Sequence, residues 1–163
     1  MYILIKKEKI EIEEVIDKYS DMVYRVAYTR LNQKESAEDI YQEVFLQLAK
    51  KSPTFESFEH LKAWLIRVTI NKSKNILSSV WNREVDYLEN DIPIEEINNL
   101  YVFEEVKKLK QSYRTVIYLY YYEGYKISEI SSLMKIKEST IKTWMLKARN
   151  ILKEKLEGGF DDE

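Results

Sequence analysis

The sequence predicts an all-α protein of two small helical domains joined by an acidic linker, and three observations lead there. Turn-forming residues are scarce, with Gly 3 and Pro 2 among 163 residues, which disfavours a turn-rich all-β chain. Apolar residues recur at helical spacing over long runs. Charge is segregated: residues 1–83 hold 14 basic and 12 acidic side chains, 84–103 hold 6 acidic and none basic, 104–157 hold 12 basic and 7 acidic, and 158–163 add 3 acidic. The expected division is therefore a first domain over 1–83, a linker over 84–103, and a second domain with an acidic tail over 104–163.

The opening MYILIKK is too short an apolar run for a signal peptide or a membrane span, so a soluble cytoplasmic protein without direct membrane insertion is expected. Ile12, Val15, Ile16, Tyr19, Met22, Val23, Val26 and Ala27 form one apolar stripe, predicting a helix from about Ile10 to Leu31. A second helix is expected to start near Ser36, where Ser-Ala-Glu-Asp has the form of a capping box. Its core stripe is Ala37, Ile40, Tyr41, Val44, Phe45 and Leu48, with Asp39, Gln42, Glu43 and Leu46 together on an adjoining face. After a loop at Ser52-Pro53, a third helix is expected from about Glu59 to Val80, anchored by Leu61, Trp64, Leu65, Val68, Ile76 and Leu77.

That third helix carries a polar stripe of Arg67, Asn71, Lys74, Asn75 and Ser78 at i, i+4, i+7, i+8 and i+11. From His60 through Arg83 there are five Lys or Arg residues and no acidic one. A solvated face mixes signs, whereas a one-sign face suits an anion, and asparagines among cations suit backbone and base contacts alike. From Glu84 to Asn99 the helical period fades and Pro93 appears, which marks the linker.

The C-terminal domain holds the most informative stretch, KISEISSLMKIKESTIKTWMLKAR at 126–149. Ile127, Ile130, Leu133 and Met134 form a short apolar stripe, Lys135 to Glu138 interrupt it, and Ile141, Trp144, Met145, Ala148, Ile151 and Leu152 form a second. Opposite that second stripe lie Thr140, Lys142, Thr143, Lys147, Asn150 and Lys153. This is a helix-turn-helix pattern whose second helix offers hydroxyl and cationic groups to a major groove; an ordinary helical hairpin is the plainer reading. Ahead of it, the tyrosines of YLYYYEGY (118–125) are expected to pack in the core, with Gly124 as a helix C-cap.

Composition excludes several chemistries. There is no cysteine, so disulfides and thiolate metal sites are excluded, and the single histidine, His60, makes a histidine-based zinc site or catalytic dyad improbable. His60 itself reads as a polar residue at a helix start. No Gly-rich phosphate loop is present, and Glu13-Glu14 and Glu95-Glu96 are adjacent pairs that point apart on a helix, unlike a catalytic carboxylate dyad. No enzyme activity, cofactor, metal or small-molecule substrate is expected. Weak unassisted binding to free DNA is expected, because the chain's own acidic segments repel phosphates.

SAEDIYQEVFLQLAKK, followed by HLKAWLIRVTINKSKNIL, resembles region two of bacterial sigma factors, and STIKTWMLKAR in its helix-turn-helix resembles their region four. Two such modules joined by a short linker is the layout of the extracytoplasmic-function (ECF) group, and the resemblance runs from about Tyr19 to Leu156. It implies a three-to-four-helix region-two bundle and a region-four helix-turn-helix domain. Core RNA polymerase, promoter DNA and an anti-sigma factor are the partners it implies.

The resemblance also implies roles for particular residues. Asp39, Gln42, Glu43 and Leu46 would face core polymerase. Arg67, Asn71, Lys74 and Asn75 would handle the minus-ten element, and the loop Phe55 to His60 would help hold a base flipped from the melted strand. Thr140, Lys142, Thr143 and Lys147 would read the minus-thirty-five element, with Arg149 on phosphate. The acidic linker would thread the polymerase's positively charged cleft.

The chain departs from the family where an Arg is common and Trp144 stands, and where an aromatic or His is common and Leu146 stands. Trp144 lies on the core stripe and reads as packing. Ser78, Ser79 and Val80 intervene where the minus-ten helix often becomes Arg-rich, and Trp81 carries no assigned role. The alternative function is a stand-alone helix-turn-helix regulator whose N-terminal helices dimerise or sense.

Overall fold

The structure is a computed structural model that describes residues 1–80 and 100–160, the side chains at 76–80, 100–103 and 157–160 excepted. The linker reading over 84–99, Trp81, Arg83, the tail 161–163 and the side chains of Ile76, Leu77, Ser78, Ser79 and Val80 thus lie outside the described residues. The chain divides into two compact units, Met1–Glu89 and Asn90–Glu163.

The first unit begins with a feature absent from the sequence expectation. Strands β1 (Tyr2–Ile5) and β2 (Glu8–Glu11) pair antiparallel, Tyr2 opposite Glu11 and Ile5 opposite Glu8. Alternation buries Ile3 and Ile5 on one face. The two-residue turn is Lys6-Lys7, both in the left-handed region at φ 52 and 70. Such turns ordinarily take Asn or Gly, which is why the hairpin escaped notice. A two-residue strand β3 (Thr54–Phe55) joins β1 in parallel, giving the order β2-β1-β3. All-α remains the class, with this small sheet added.

Helix α1 (Ile12–Leu31) therefore starts at Ile12 rather than Ile10, which belongs to β2. Its C-terminal Asn32 takes a left-handed φ of 54 and donates its N–H to the Tyr28 carbonyl at 2.7 Å. Helix α2 (Lys34–Lys51) starts two residues before Ser36, so Ser36 does not cap it. Ser36 Oγ instead donates to Gln33 Oε1 at 3.0 Å. Helix α3 (Phe58–Val80) is entered through Ser57, whose hydroxyl accepts the His60 N–H at 3.0 Å as an N-cap should.

The apolar stripes meet as their periodicity requires, with Val23, Ile40, Val44, Leu48, Leu61, Leu65, Ile66 and Ile70 fully enclosed. Two buried hydroxyls are satisfied within α3: Thr69 Oγ1 donates to the Leu65 carbonyl and Ser73 Oγ to the Ile70 carbonyl, each at 2.6 Å. Arg30 is buried too, at 3% exposure, and its Nε donates to Ser73 Oγ at 2.8 Å, tying α1 to α3.

In the second unit α4 (Leu100–Lys107) starts inside the stretch assigned to the linker, whose last four residues, Leu100 to Phe103, carry no charge. Helix α5 (Gln111–Ile117) widens into a π-helical turn over Tyr118–Tyr122, with Glu123 N–H donating to the Tyr118 carbonyl at 3.1 Å. Gly124 then takes a φ of +76 with open space around its α-carbon. Helices α6 (Ile127–Met134) and α7 (Glu138–Phe160) follow. Ile130, Leu133, Met134, Ile141, Met145 and Ala148 are buried between them and α5's Val116 and Ile117.

Candidate nucleic-acid interface

The turn between α6 and α7 is built to a fixed angle. Lys135 takes a left-handed φ of 56, Ile136 N–H donates to the Ser131 carbonyl at 3.2 Å, and Ser131 Oγ donates back to the Ile136 carbonyl at 2.5 Å. At the start of α6, the Glu129 carboxylate accepts the Lys126 N–H at 2.9 Å. These bonds set α7 so that Ile141, Met145 and Ala148 face inward, leaving Lys142, Thr143, Leu146, Lys147, Arg149 and Asn150 exposed. Thr140 and Trp144 are half-buried at the edges of that face.

Two of the sequence-predicted groups have partners on α7 itself. Lys142 Nζ lies 3.7 Å from Glu138 Oε1, one turn earlier, and Thr143 Oγ1 donates to the Ser139 carbonyl at 3.0 Å. Both contacts are exposed and orient the side chains rather than hold them shut. Arg149 is held by the tyrosine run. Its Nε donates to the Tyr121 hydroxyl at 2.7 Å, and its guanidinium carbon lies 5.3 and 5.5 Å from the Tyr120 and Tyr121 ring centroids.

Core packing is consequently the wrong reading for part of that run. Leu119 is buried, but Tyr121 is 60% exposed and Tyr122 is exposed as well. The π-helical turn accounts for this, because a wider turn moves later residues out of phase with the buried stripe. Tyr118 and Tyr122 stack at 5.1 Å, and the Tyr118 hydroxyl donates to Glu123 Oε1 at 2.8 Å.

On the first unit, α3 turns Leu65, Thr69 and Ser73 inward and Asn71, Lys74 and Asn75 outward. Arg67 is half-buried, and its Nε is enclosed without a hydrogen-bond partner. Asp39, Gln42, Glu43 and Leu46 are all exposed on one side of α2, Leu46 at 56%. Lys72 Nζ, on α3, approaches Glu43 Oε2 at 3.6 Å.

The loop ahead of α3 divides its aromatic residues. Phe55 is buried, edge-on to His60 at 5.2 Å and to Trp64 at 5.8 Å, so its ring cannot take up a base. His60 Nδ1 accepts the Glu56 N–H at 3.1 Å, a local role at the helix start. Phe58 is 37% exposed, with Lys18 Nζ 3.9 Å from its ring centroid. Beside it, Tyr19 donates to the Phe58 carbonyl at 3.4 Å. Burial, reinforced by the Glu59 carboxylate, pushes the Tyr19 hydroxyl above its ordinary pKa. A cleft of about 250 Å³ lies there, lined by Ile5, Lys6, Glu8 and Ile10 of the hairpin and by Ser57, Phe58 and Glu59. Sequence reading missed the hairpin's share of this cleft.

Comparison with known proteins places matches on both units. The model of sigma-70 region 2 matches residues 15–83, and that of sigma-70 region 4 matches residues 100–152. The chain is 24% identical to the ECF RNA polymerase sigma factor SigW of Bacillus subtilis (strain 168), covering 93% of this chain and 91% of that one. It is 27% identical to SigM of the same organism, covering 93% and 99%. Among solved structures, the sigma factor RpoE in complex with the anti-sigma factor NepR from Bartonella quintana shares the fold at a TM-score of 0.72 and 21% identity, over 89% of this chain and 96% of that one. CnrH, in complex with the cytosolic domain of CnrY, does so at 0.61 and 16%, over 90% and 88%.

Proposed function

Because this chain belongs to the sigma-70 family, and within it to the ECF sigma factors, we propose that it binds core RNA polymerase and directs promoter-specific initiation of transcription. The observation that carries this reading is the ordered pair of family matches, region 2 on 15–83 and region 4 on 100–152, which together span most of the chain. Each matched unit presents a face suited to its task.

In this reading the exposed α2 face of Asp39, Gln42, Glu43 and Leu46 docks on polymerase, since its acidic groups would be repelled by DNA. Arg67, Asn71, Lys74 and Asn75 take the minus-ten strand, the last three from the exposed side of α3. Thr140, Lys142, Thr143 and Lys147 read the minus-thirty-five element in the major groove, and Arg149 meets a phosphate at its edge. The acidic part of the segment between the two matched regions, residues 84–99, links the region-two domain to the region-four domain and takes the place of nucleic acid in the polymerase cleft.

The protein acts without catalysis of its own, in the cytoplasm, under an anti-sigma factor that covers its polymerase-binding faces. One solved structure that shares its fold is such a complex, the sigma factor RpoE with the anti-sigma factor NepR. Among the described residues, no helix is long and apolar enough to cross a membrane.

Run-off transcription on a pool of genomic fragments with purified bacterial core polymerase, with and without this protein, tests the reading. Discrete transcripts that depend on the added chain are the expected result. Binding to duplex DNA without any effect on initiation would favour a stand-alone regulator instead.

A further inference from the structure

Among the described residues, the part of α7's solvent face around Leu146 is otherwise polar. Ser139, Lys142, Thr143, Lys147, Asn150 and Lys153 surround Leu146, which is 60% exposed. Thr143 and Asn150 stand at i−3 and i+4 from it, and Lys142 at i−4, so all three are its nearest neighbours on the helix surface. The other exposed aliphatic residue described on α7, Ile151, lies five positions on, well round the helix from Leu146. No apolar patch of the size that a protein partner needs is assembled around this side chain.

A lone aliphatic side chain set among polar donors is complementary to a surface with a methyl set among acceptors. The floor of the major groove offers that surface at thymine, whose C5-methyl stands beside its own O4 and beside the N7 and O6 acceptors of neighbouring purines. The flanking lysines supply donors to those acceptors. We infer that Leu146 is a specificity-determining residue that packs on a thymine methyl within the minus-thirty-five element, while Lys142 and Lys147 bond to acceptors on either side. The inference rests on the sigma-factor reading, in which α7 enters the major groove.

Deoxyuridine isolates the methyl, because it keeps the pairing and the O4 acceptor of thymine and lacks only that group. Holoenzyme formed from the full chain and bacterial core polymerase first recovers its element from duplexes randomised across the minus-thirty-five region. Each thymine of that element is then replaced singly by deoxyuridine and binding is measured. At one position the replacement should weaken wild-type binding about fourfold, the loss expected for one buried methyl. Leu146→Ala should bind the thymine duplex more weakly and discriminate thymine from deoxyuridine less than twofold, at the expected thermal stability of an exposed substitution. Leu146→Met, which restores an apolar chain of similar volume, should recover the preference.

Unchanged wild-type binding at every deoxyuridine position would overturn the inference, as would full thymine preference retained by Leu146→Ala or an element without thymine. Failure of the holoenzyme to enrich any element would instead remove the sigma-factor reading itself.

Discussion

Arg149 donates its Nε hydrogen to the Tyr121 hydroxyl at 2.7 Å, joining residues 28 positions apart at the flank of the recognition helix. A guanidinium fixed in this way keeps its remaining donors aimed past the helix edge, where a groove phosphate would lie. Arg149→Ala should therefore lower the slope of log affinity against log salt by about 0.9, one phosphate contact. Tyr121→Phe keeps the charge and the ring, so it should leave that slope intact while lowering affinity on the order of threefold. Salt titrations of holoenzyme on a promoter duplex distinguish the two; equal slopes for wild type and Arg149→Ala would remove the phosphate assignment.

Glu43 is the acidic centre of the α2 face and stands 3.6 Å from Lys72. Glu43→Lys should weaken association with core polymerase by roughly tenfold or more, because it sets like charges together at the interface. Lys72→Ala breaks the same contact and keeps Glu43, so it should leave core association near wild type. Thermal stability should change little in either variant, since the pair is exposed. Core binding by Glu43→Lys at wild-type strength would refute the assigned face.

The two DNA faces should fail at different steps. Arg67→Ala with Asn71→Ala should impair strand opening, read by permanganate reactivity of unpaired thymines, by roughly tenfold per lost contact while sparing core association. Lys142→Ala with Lys147→Ala should leave opening on a pre-melted template intact and weaken recognition of the duplex upstream element. Intact promoter choice and occupancy in that second pair would show that the register of the recognition face is wrong.

Ser73 should prove more important to folding than its size suggests. Its hydroxyl receives the Nε hydrogen of buried Arg30 and passes its own to the Ile70 carbonyl. Ser73→Ala leaves that Arg30 donor without its acceptor and should cost about 1–3 kcal/mol of stability, measured by urea denaturation. Arg30→Ala should cost at least as much. A loss within about 0.5 kcal/mol would mean that water replaces the hydroxyl.

What the sequence revealed followed from regular spacing. The stripes from Val15 to Ala27, from Ala37 to Leu48 and from Ile141 to Ala148 face inward except at Ile16, Tyr41 and Trp144, which are half-buried, because a 3.6-residue period leaves few other ways to bury them. The same period misled where the backbone departs from it. Beyond Ile117 the π-helical turn shifts the phase, and Tyr121 emerges into solvent instead of the core. Arg30 continues the stripe of Val26 and Ala27 at i+4 and i+3, yet its charge disguised it as a surface residue. Lys6 and Lys7 likewise hid a hairpin by holding the left-handed turn without glycine or asparagine. Of the residues proposed for the interfaces, most are exposed as the pattern suggested, while Arg67 and Thr140 are half-buried. The tie between Arg149 and Tyr121 was not, because it joins separate helices.

The parallel pairing of Leu4 with Thr54 and of Ile5 with Phe55 joins segments that lie far apart in the chain. The hairpin needs only a local turn, but its third strand arrives some fifty residues later, after both α1 and α2 have left the ribosome. Closing so long a loop in an open chain carries an entropic penalty that grows with the logarithm of its length. Once the two helices have docked, most of that penalty has already been met, and β3 can add last. The Lys6 N–H, bonded to the Phe55 carbonyl at 2.9 Å, reports on that closure. In pulsed hydrogen exchange it should become protected only after the amides of α1 and α2, timing the moment at which the start of α3 is locked for work.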